Sequence, residues 1–126
     1  MLTPQILVVD DEASIRHLLR QALTSEEYAV QTAGTALEAL NRLEAGPVDL
    51  AVVDLMMPEI NGLDLAEAIR MLDPGTPVIL MTAYGSAAFE TMAMHPAISH
   101  YVHKPFALDR LLTLVRQVLV PQTRPA

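Results

Sequence analysis

The stretch ILVVDDE, Ile6–Glu12, runs four apolar residues straight into three consecutive acids. A buried run that ends in crowded carboxylates is stable only if a cation or a cationic side chain sits among them, because like charges at one strand end repel. The apolar run begins at Gln5 and reads as a short strand. Beyond the acids, Ile15, Leu18, Leu19, Ala22 and Leu23 recur at helical spacing, which predicts a strand followed by an amphipathic helix.

The alternation repeats along the chain. YAVQT (Tyr28–Thr32) precedes Leu37, Leu40 and Leu43, closed by Gly46 and Pro47, and DLAVVD (Asp49–Asp54) precedes a loop and then Leu65, Ala66 and Ile69. PVILMTA (Pro77–Ala83) precedes a weaker helical pattern from Ser86 to about Met94. SHYVH (Ser99–His103) precedes Leu108, Leu111, Leu112, Val115, Val118 and Leu119. The pattern is (βα)5. Continuously apolar strands are buried on both faces, so an α/β fold with a doubly wound parallel five-stranded sheet is expected. One domain is expected over residues 4–120. Residues 121–126, with two prolines and no periodicity, read as a tail or the start of a linker.

Composition narrows the functional classes. At 126 residues the chain can bury one core. Its apolar runs fall far short of the roughly 20 residues a membrane span requires, so no membrane role is expected. The start lacks a cationic segment and a small-residue cleavage site, which leaves a cytoplasmic location by default. The absence of cysteine excludes disulfides, thiolate metal sites and a cysteine nucleophile. A net charge of −7 argues against direct nucleic-acid binding by this domain.

Ligands of open parallel sheets bind at the carboxyl ends of the strands. Those ends carry Asp10, Asp11 and Glu12 after the first strand, Asp54 after the third, Thr82 after the fourth and Lys104 after the fifth. Carboxylates, a hydroxyl and a lysine would converge there, and such a sparse acidic cluster suits Mg2+ better than a calcium cage. Each residue also has a plainer role: the acids can cap the first helix, Thr82 can be an ordinary strand-end hydroxyl and Lys104 a surface lysine. Their joint placement favours the cation site, with Glu12 left as a helix cap.

Four segments, VVDDE, VVDLMMPEINGLDL, LMTAYG and YVHKPF, stand in order at four strand ends. Together they resemble the receiver domain of two-component response regulators, and the match runs from Ile6 to about Leu119. The resemblance implies a flavodoxin-like fold with strand order 2-1-3-4-5. It implies that Asp54 accepts a phosphoryl group from a sensor histidine kinase or phosphotransfer protein. Asp10, Asp11, Asp54 and the backbone carbonyl of Met56 would hold Mg2+, and Lys104 would pair first with Asp54 and then with the phosphoryl group. Thr82 and Tyr101 would form the switch that reshapes the surface of the fourth helix, fifth strand and fifth helix, a surface through which a homodimer could form. Aiming the Lys104 amine at Asp54 calls for a sharp turn, so the Lys104–Pro105 bond is expected to be cis.

Two features depart from the family pattern. MHPAISHYV (Met94–Val102) puts Pro96 where a small Gly-Ala turn is common, and the chain ends without an output domain, so it acts alone or is a piece of a longer regulator. The four histidines (His17, His95, His100 and His103) lack metal spacing and read as surface residues. Gly62 and Pro58 read as residues that shape the loop after Asp54. Phe89, Met92 and Met94 read as packing on the weak helix as readily as a docking patch.

The leading function is a phosphorylation-driven signalling switch, not an enzyme in the metabolic sense. A Mg2+-dependent phosphohydrolase with an aspartyl-phosphate intermediate is the rival, but such enzymes usually carry a second acid two residues after the nucleophile, where this chain has Met56. A phosphorylation-independent interaction module is the third reading, and the presence of Asp54, Lys104 and the acidic pair speaks against it.

Overall fold

The computed structural model describes residues 3–82 and 95–119. Five strands, β1 (Gln5–Val9), β2 (Ala29–Ala33), β3 (Leu50–Asp54), β4 (Val78–Thr82) and β5 (His100–His103), form one sheet in the order β2-β1-β3-β4-β5. Every adjacent pair is parallel. The described helices are α1 (Ala13–Ser25), α2 (Ala36–Ala45), α3 (Gly62–Leu72) and a C-terminal helix (Leu108–Leu119). The expected helix from Ser86 to about Met94, with Phe89 and Met92, and the tail 121–126 lie outside the described residues.

Strand side chains alternate between two cores, one on each face of the sheet. Leu7, Val9, Ala51, Val53, Val78 and Leu80 pack against α2 and α3. Ile6, Val8, Leu50, Val52, Ile79 and Met81 pack against α1 and the C-terminal helix. This division is why Ile6–Val9 of β1, Leu50–Val53 of β3 and Val78–Met81 of β4 are apolar without interruption, whereas the edge strand β5 buries only Val102. No described helix is long and apolar enough to cross a membrane.

The helical stripes differ in detail from the periodicity. Leu65, Ala66 and Ile69 of α3 are fully buried, and so are Leu19 and Leu23 of α1. Leu37, however, is 67% exposed. On α2 the buried positions are Ala36 and Ala39, with Leu40 and Leu43 packed at the edge of the core. Ala36, Ala39, Leu40 and Leu43 form one stripe, and Leu37 lies about 100° round the helix from Ala36, off that stripe. β2 begins at Ala29, one residue later than expected, because Tyr28 completes the turn from α1 by donating its N–H to the Leu23 carbonyl at 3.2 Å.

The segment before β5 is anchored in the core. Ala97 and Ile98 are buried on the α2–α3 side. His95 is half-buried, not a free surface residue: its Nδ1 accepts the Ala97 N–H at 3.1 Å, and its Nε2 lies 3.4 Å from Glu67 Oε2 on α3. The other three histidines are exposed.

Candidate functional site

Backbone pairing delivers the strand ends to one place. The Asp10 N–H donates to the Ala33 carbonyl at 3.1 Å, the Leu55 N–H to Met81 at 2.8 Å, and the Lys104 N–H to Thr82 at 2.7 Å. The Lys104–Pro105 bond is cis. Asp10 and Thr82 are fully buried, Asp54 nearly so, and Asp11 is exposed at the rim.

Asp10, Asp11 and Asp54 each offer a carboxylate oxygen, and these atoms lie within 4.8 Å of one another. Three hard oxygen donors at that spacing suit Mg2+, which takes few protein carboxylates and keeps several waters. The donor set therefore fits the ion that the residues call for.

Lys104 is the cation among the acids. Its Nζ donates to Asp10 Oδ2 at 2.9 Å and lies 3.4 Å from Asp54 Oδ1 and 3.8 Å from Glu12 Oε1. Lys104 lies within ion-pair distance of Asp54, the partner expected ahead of the phosphoryl group, and makes its shorter contact with Asp10, the more deeply buried carboxylate. Burial alone would lower the Lys104 pKa. The hydrogen bond to Asp10 and the charges of Asp10 and Asp54 outweigh it, so the amine sits above the ordinary lysine value.

Burial, reinforced by the negative charge of Asp10, pushes the Asp54 carboxyl up to about 6 despite the opposing effect of Lys104 and of the Met56 N–H, which donates to Asp54 Oδ1 at 3.3 Å. Because the ordinary value is 3.8, the unfolded chain releases this proton first as pH rises. The contribution to stability is therefore greatest below about pH 4 and is lost as pH rises through about 6. A shift of this size would be worth about 3 kcal/mol if fully shielded, and screening at the site mouth reduces it to about 1–2 kcal/mol. Urea unfolding in EDTA at pH 4.5 and 7.5, with Asp54→Asn as the reference, should show that difference, and equal slopes for the two proteins would exclude it.

Several placements are not legible in the residue order. Glu12 occupies the position that starts α1, but its side chain makes no capping hydrogen bond; its N–H donates to Asp10 Oδ1 at 2.9 Å, and its carboxylate turns toward Lys104. Glu12 thus keeps the expected N-cap position through its backbone, whose carbonyl accepts the Arg16 N–H at 3.1 Å, while its carboxylate faces the Lys104 amine. Gly62 does more than shape a loop. A Cβ there would overlap the Asp54 carbonyl and stand 2.7 Å from Leu55 Cα, so only glycine lets α3 start directly against the strand that carries Asp54. Asn61 marks that helix start by accepting the Asp64 N–H at 2.9 Å. Arg16, one helical turn beyond the acids, donates from Nη1 to the Asp10 carbonyl at 2.7 Å. Tyr101 is 40% exposed on the edge strand, and Met56 is exposed beside Asp54.

Residues 6–116 match the family model described as the response regulator receiver domain. The chain is 33% identical over 124 residues to the response regulator MprA of Mycobacterium bovis (strain BCG / Pasteur 1173P2), covering 98% of this chain and 54% of that protein. It thus spans about half the length of the curated relatives it matches. It is similar to the response regulator TrrA of Thermotoga maritima, solved in complex with Mg2+ and BeF, with TM-score 0.83, 38% identity, and coverage of 93% of this chain and 100% of that one. The solution structure of the beryllofluoride-activated NtrC4 receiver domain dimer matches with TM-score 0.85 and 30% identity over 93% of this chain and 97% of that one.

Proposed function

The chain belongs to the response regulator receiver domain family, and on that premise we propose that it is a switch in which Asp54 accepts a phosphoryl group from the phosphohistidine of a sensor histidine kinase or phosphotransfer protein. One observation carries the reading: Asp54 is a buried strand-end carboxylate with two further carboxylates within 4.8 Å and the Lys104 amine at 3.4 Å.

The Asp54 carboxylate oxygen attacks phosphorus, the phosphorus–nitrogen bond breaks, and its electron pair returns to the imidazole. Asp10 and Asp11, with Asp54 and the Met56 carbonyl, hold Mg2+. The bound ion supplies neutralisation of the charge gathered on carboxylates and phosphoryl oxygens. Lys104 follows the charge from the carboxylates to the phosphoryl oxygens as a point donor on a flexible stem. Thr82, fully buried at the next strand end, donates its hydroxyl to the phosphoryl group. Tyr101, half out of the edge strand, responds to that movement, so a local charge event biases a two-state surface around β5 and the C-terminal helix. That surface also serves the homodimer, and the domain works in the cytoplasm without metabolic turnover.

The phosphohydrolase reading is disfavoured because Met56, where a second acid would stand, is an exposed thioether with no proton to give. Incubation with Mg2+ and acetyl phosphate, followed by intact mass, should add one phosphoryl group to the wild-type chain and none to Asp54→Asn or to wild type in EDTA. Equal incorporation by Asp54→Asn would overturn the assignment.

A further inference from the structure

We propose that Arg16 is a positioning residue for the metal site: its guanidinium clamps the Asp10 backbone so that the Asp10 and Asp11 carboxylates meet that of Asp54. The inference rests on the Mg2+ reading above and extends it to a residue that touches neither metal nor phosphoryl group.

Asp10 is held through both of its backbone polar groups. Its N–H donates to Ala33 in β2, and its carbonyl accepts from Arg16 Nη1 at 2.7 Å, a charge-assisted bond from a half-buried side chain. The peptide between Asp10 and Asp11 is the one whose plane the Arg16 bond fixes, so this contact controls how the two carboxylates are directed relative to each other. The guanidinium is itself confined. It lies against Gly34, where an added Cβ would stand 3.0 Å from Nη1 and 3.3 Å from Cζ. Behind it the Gly34 N–H donates to Glu38 Oε1 at 2.7 Å, fixing the turn into α2. The φ of Gly34 is not positive, so what an added side chain meets there is the Arg16 guanidinium itself.

A positioning role and a purely electrostatic role predict opposite signs. A cation beside three carboxylates disfavours a second cation, so removing the Arg16 charge alone would tighten Mg2+ binding. Loss of a clamp weakens it, and losing a residue that orients metal ligands costs about tenfold in affinity or more. The measurement is calorimetric titration with MgCl2 at pH 7.5 without phosphodonor, with unfolding in EDTA recorded alongside for each variant. Arg16→Ala should bind Mg2+ about tenfold more weakly, and Arg16→Lys, which keeps the charge and a donor, should lie nearer wild type. Gly34→Ala, which crowds the guanidinium from the other side, should weaken binding by a few-fold and add nothing in the Arg16→Ala background. Unchanged or tighter binding by Arg16→Ala, or a Gly34→Ala effect that persists without Arg16, would overturn the clamp. Asp11→Asn is the separate control: if wild type shows no saturable binding, or Asp11→Asn binds as wild type does, the metal reading itself fails.

Discussion

Lys104→Met is expected to destabilise the metal-free domain by about 2–3 kcal/mol at pH 7.5, because breaking a buried charge pair leaves the remaining charges uncompensated. The substitution keeps most of the apolar stem and removes only the amine that stands 2.9 Å from Asp10 and 3.4 Å from Asp54. Two carboxylates then face each other in a site that burial already makes hostile to the charged form. The chain has one way to relieve this, which is to protonate. Lys104 lowers the Asp54 pKa, so without it that value rises above about 6 and the proton is retained nearer neutrality. The cost should therefore shrink as pH falls toward about 5, with the part that comes from the Asp10 pair remaining, and saturating Mg2+ should recover much of it at pH 7.5. Urea midpoints over that range, with and without Mg2+, test both trends. A penalty independent of pH and metal would mean that Lys104 acts through packing of its stem.

Gly62→Ala should cost about 2–3 kcal/mol, the range for overpacking where the neighbours cannot move aside. The atoms that a Cβ would meet are the Asp54 carbonyl and the Leu55 backbone, 2.7 to 2.8 Å away at Leu55 Cα and the Asp54 carbonyl carbon. Backbone at the end of a central strand has no rotamer to yield. Either α3 retreats, opening the contact of Leu65, Ala66 and Ile69 with the sheet, or the strand end shifts and carries Asp54 with it. The second outcome should also weaken Mg2+ binding, since Asp54 moves with the strand end. Gly46→Ala is the internal control: among the described residues no atom beyond its chain neighbours lies within 4 Å of its added Cβ, and its φ of 177 is ordinary extended backbone. Reduced freedom of the unfolded chain should leave that variant unchanged or more stable by about 0.5 kcal/mol. Gly62→Ala unfolding at the same urea concentration as Gly46→Ala would show that the overlap relaxes at no cost.

The elements and their faces could be read from residue order because each depends on short-range patterning. Uninterrupted apolar runs such as Leu50–Val53 mark strands covered on both sides, and Leu111, Val115, Val118 and Leu119 mark a helix with one buried stripe. Parallel strands joined by helices end on the same side, so Asp10, Asp54, Thr82 and Lys104 were bound to share one rim. Reading the leucines alone did not foresee Leu37 facing solvent, because the buried stripe of α2 is centred on Ala36 and Ala39, which pack with Leu7, Val9 and Ala33 of the sheet.

The site's finer geometry belonged to the tertiary structure alone. That Lys104 pairs more tightly with Asp10 than with Asp54, that the Glu12 carboxylate faces the amine and makes no capping bond, and that Arg16 grips the Asp10 carbonyl are outcomes of distances between separate elements. Gly62 belongs with them, since its requirement comes from backbone eight residues earlier in the chain that the fold returns to within a bond's reach. Periodicity along a chain reports which side of an element is buried. It carries no information on the few tenths of an ångström that decide which carboxylate an amine chooses, because those follow from long-range packing and from charges that desolvation makes strong.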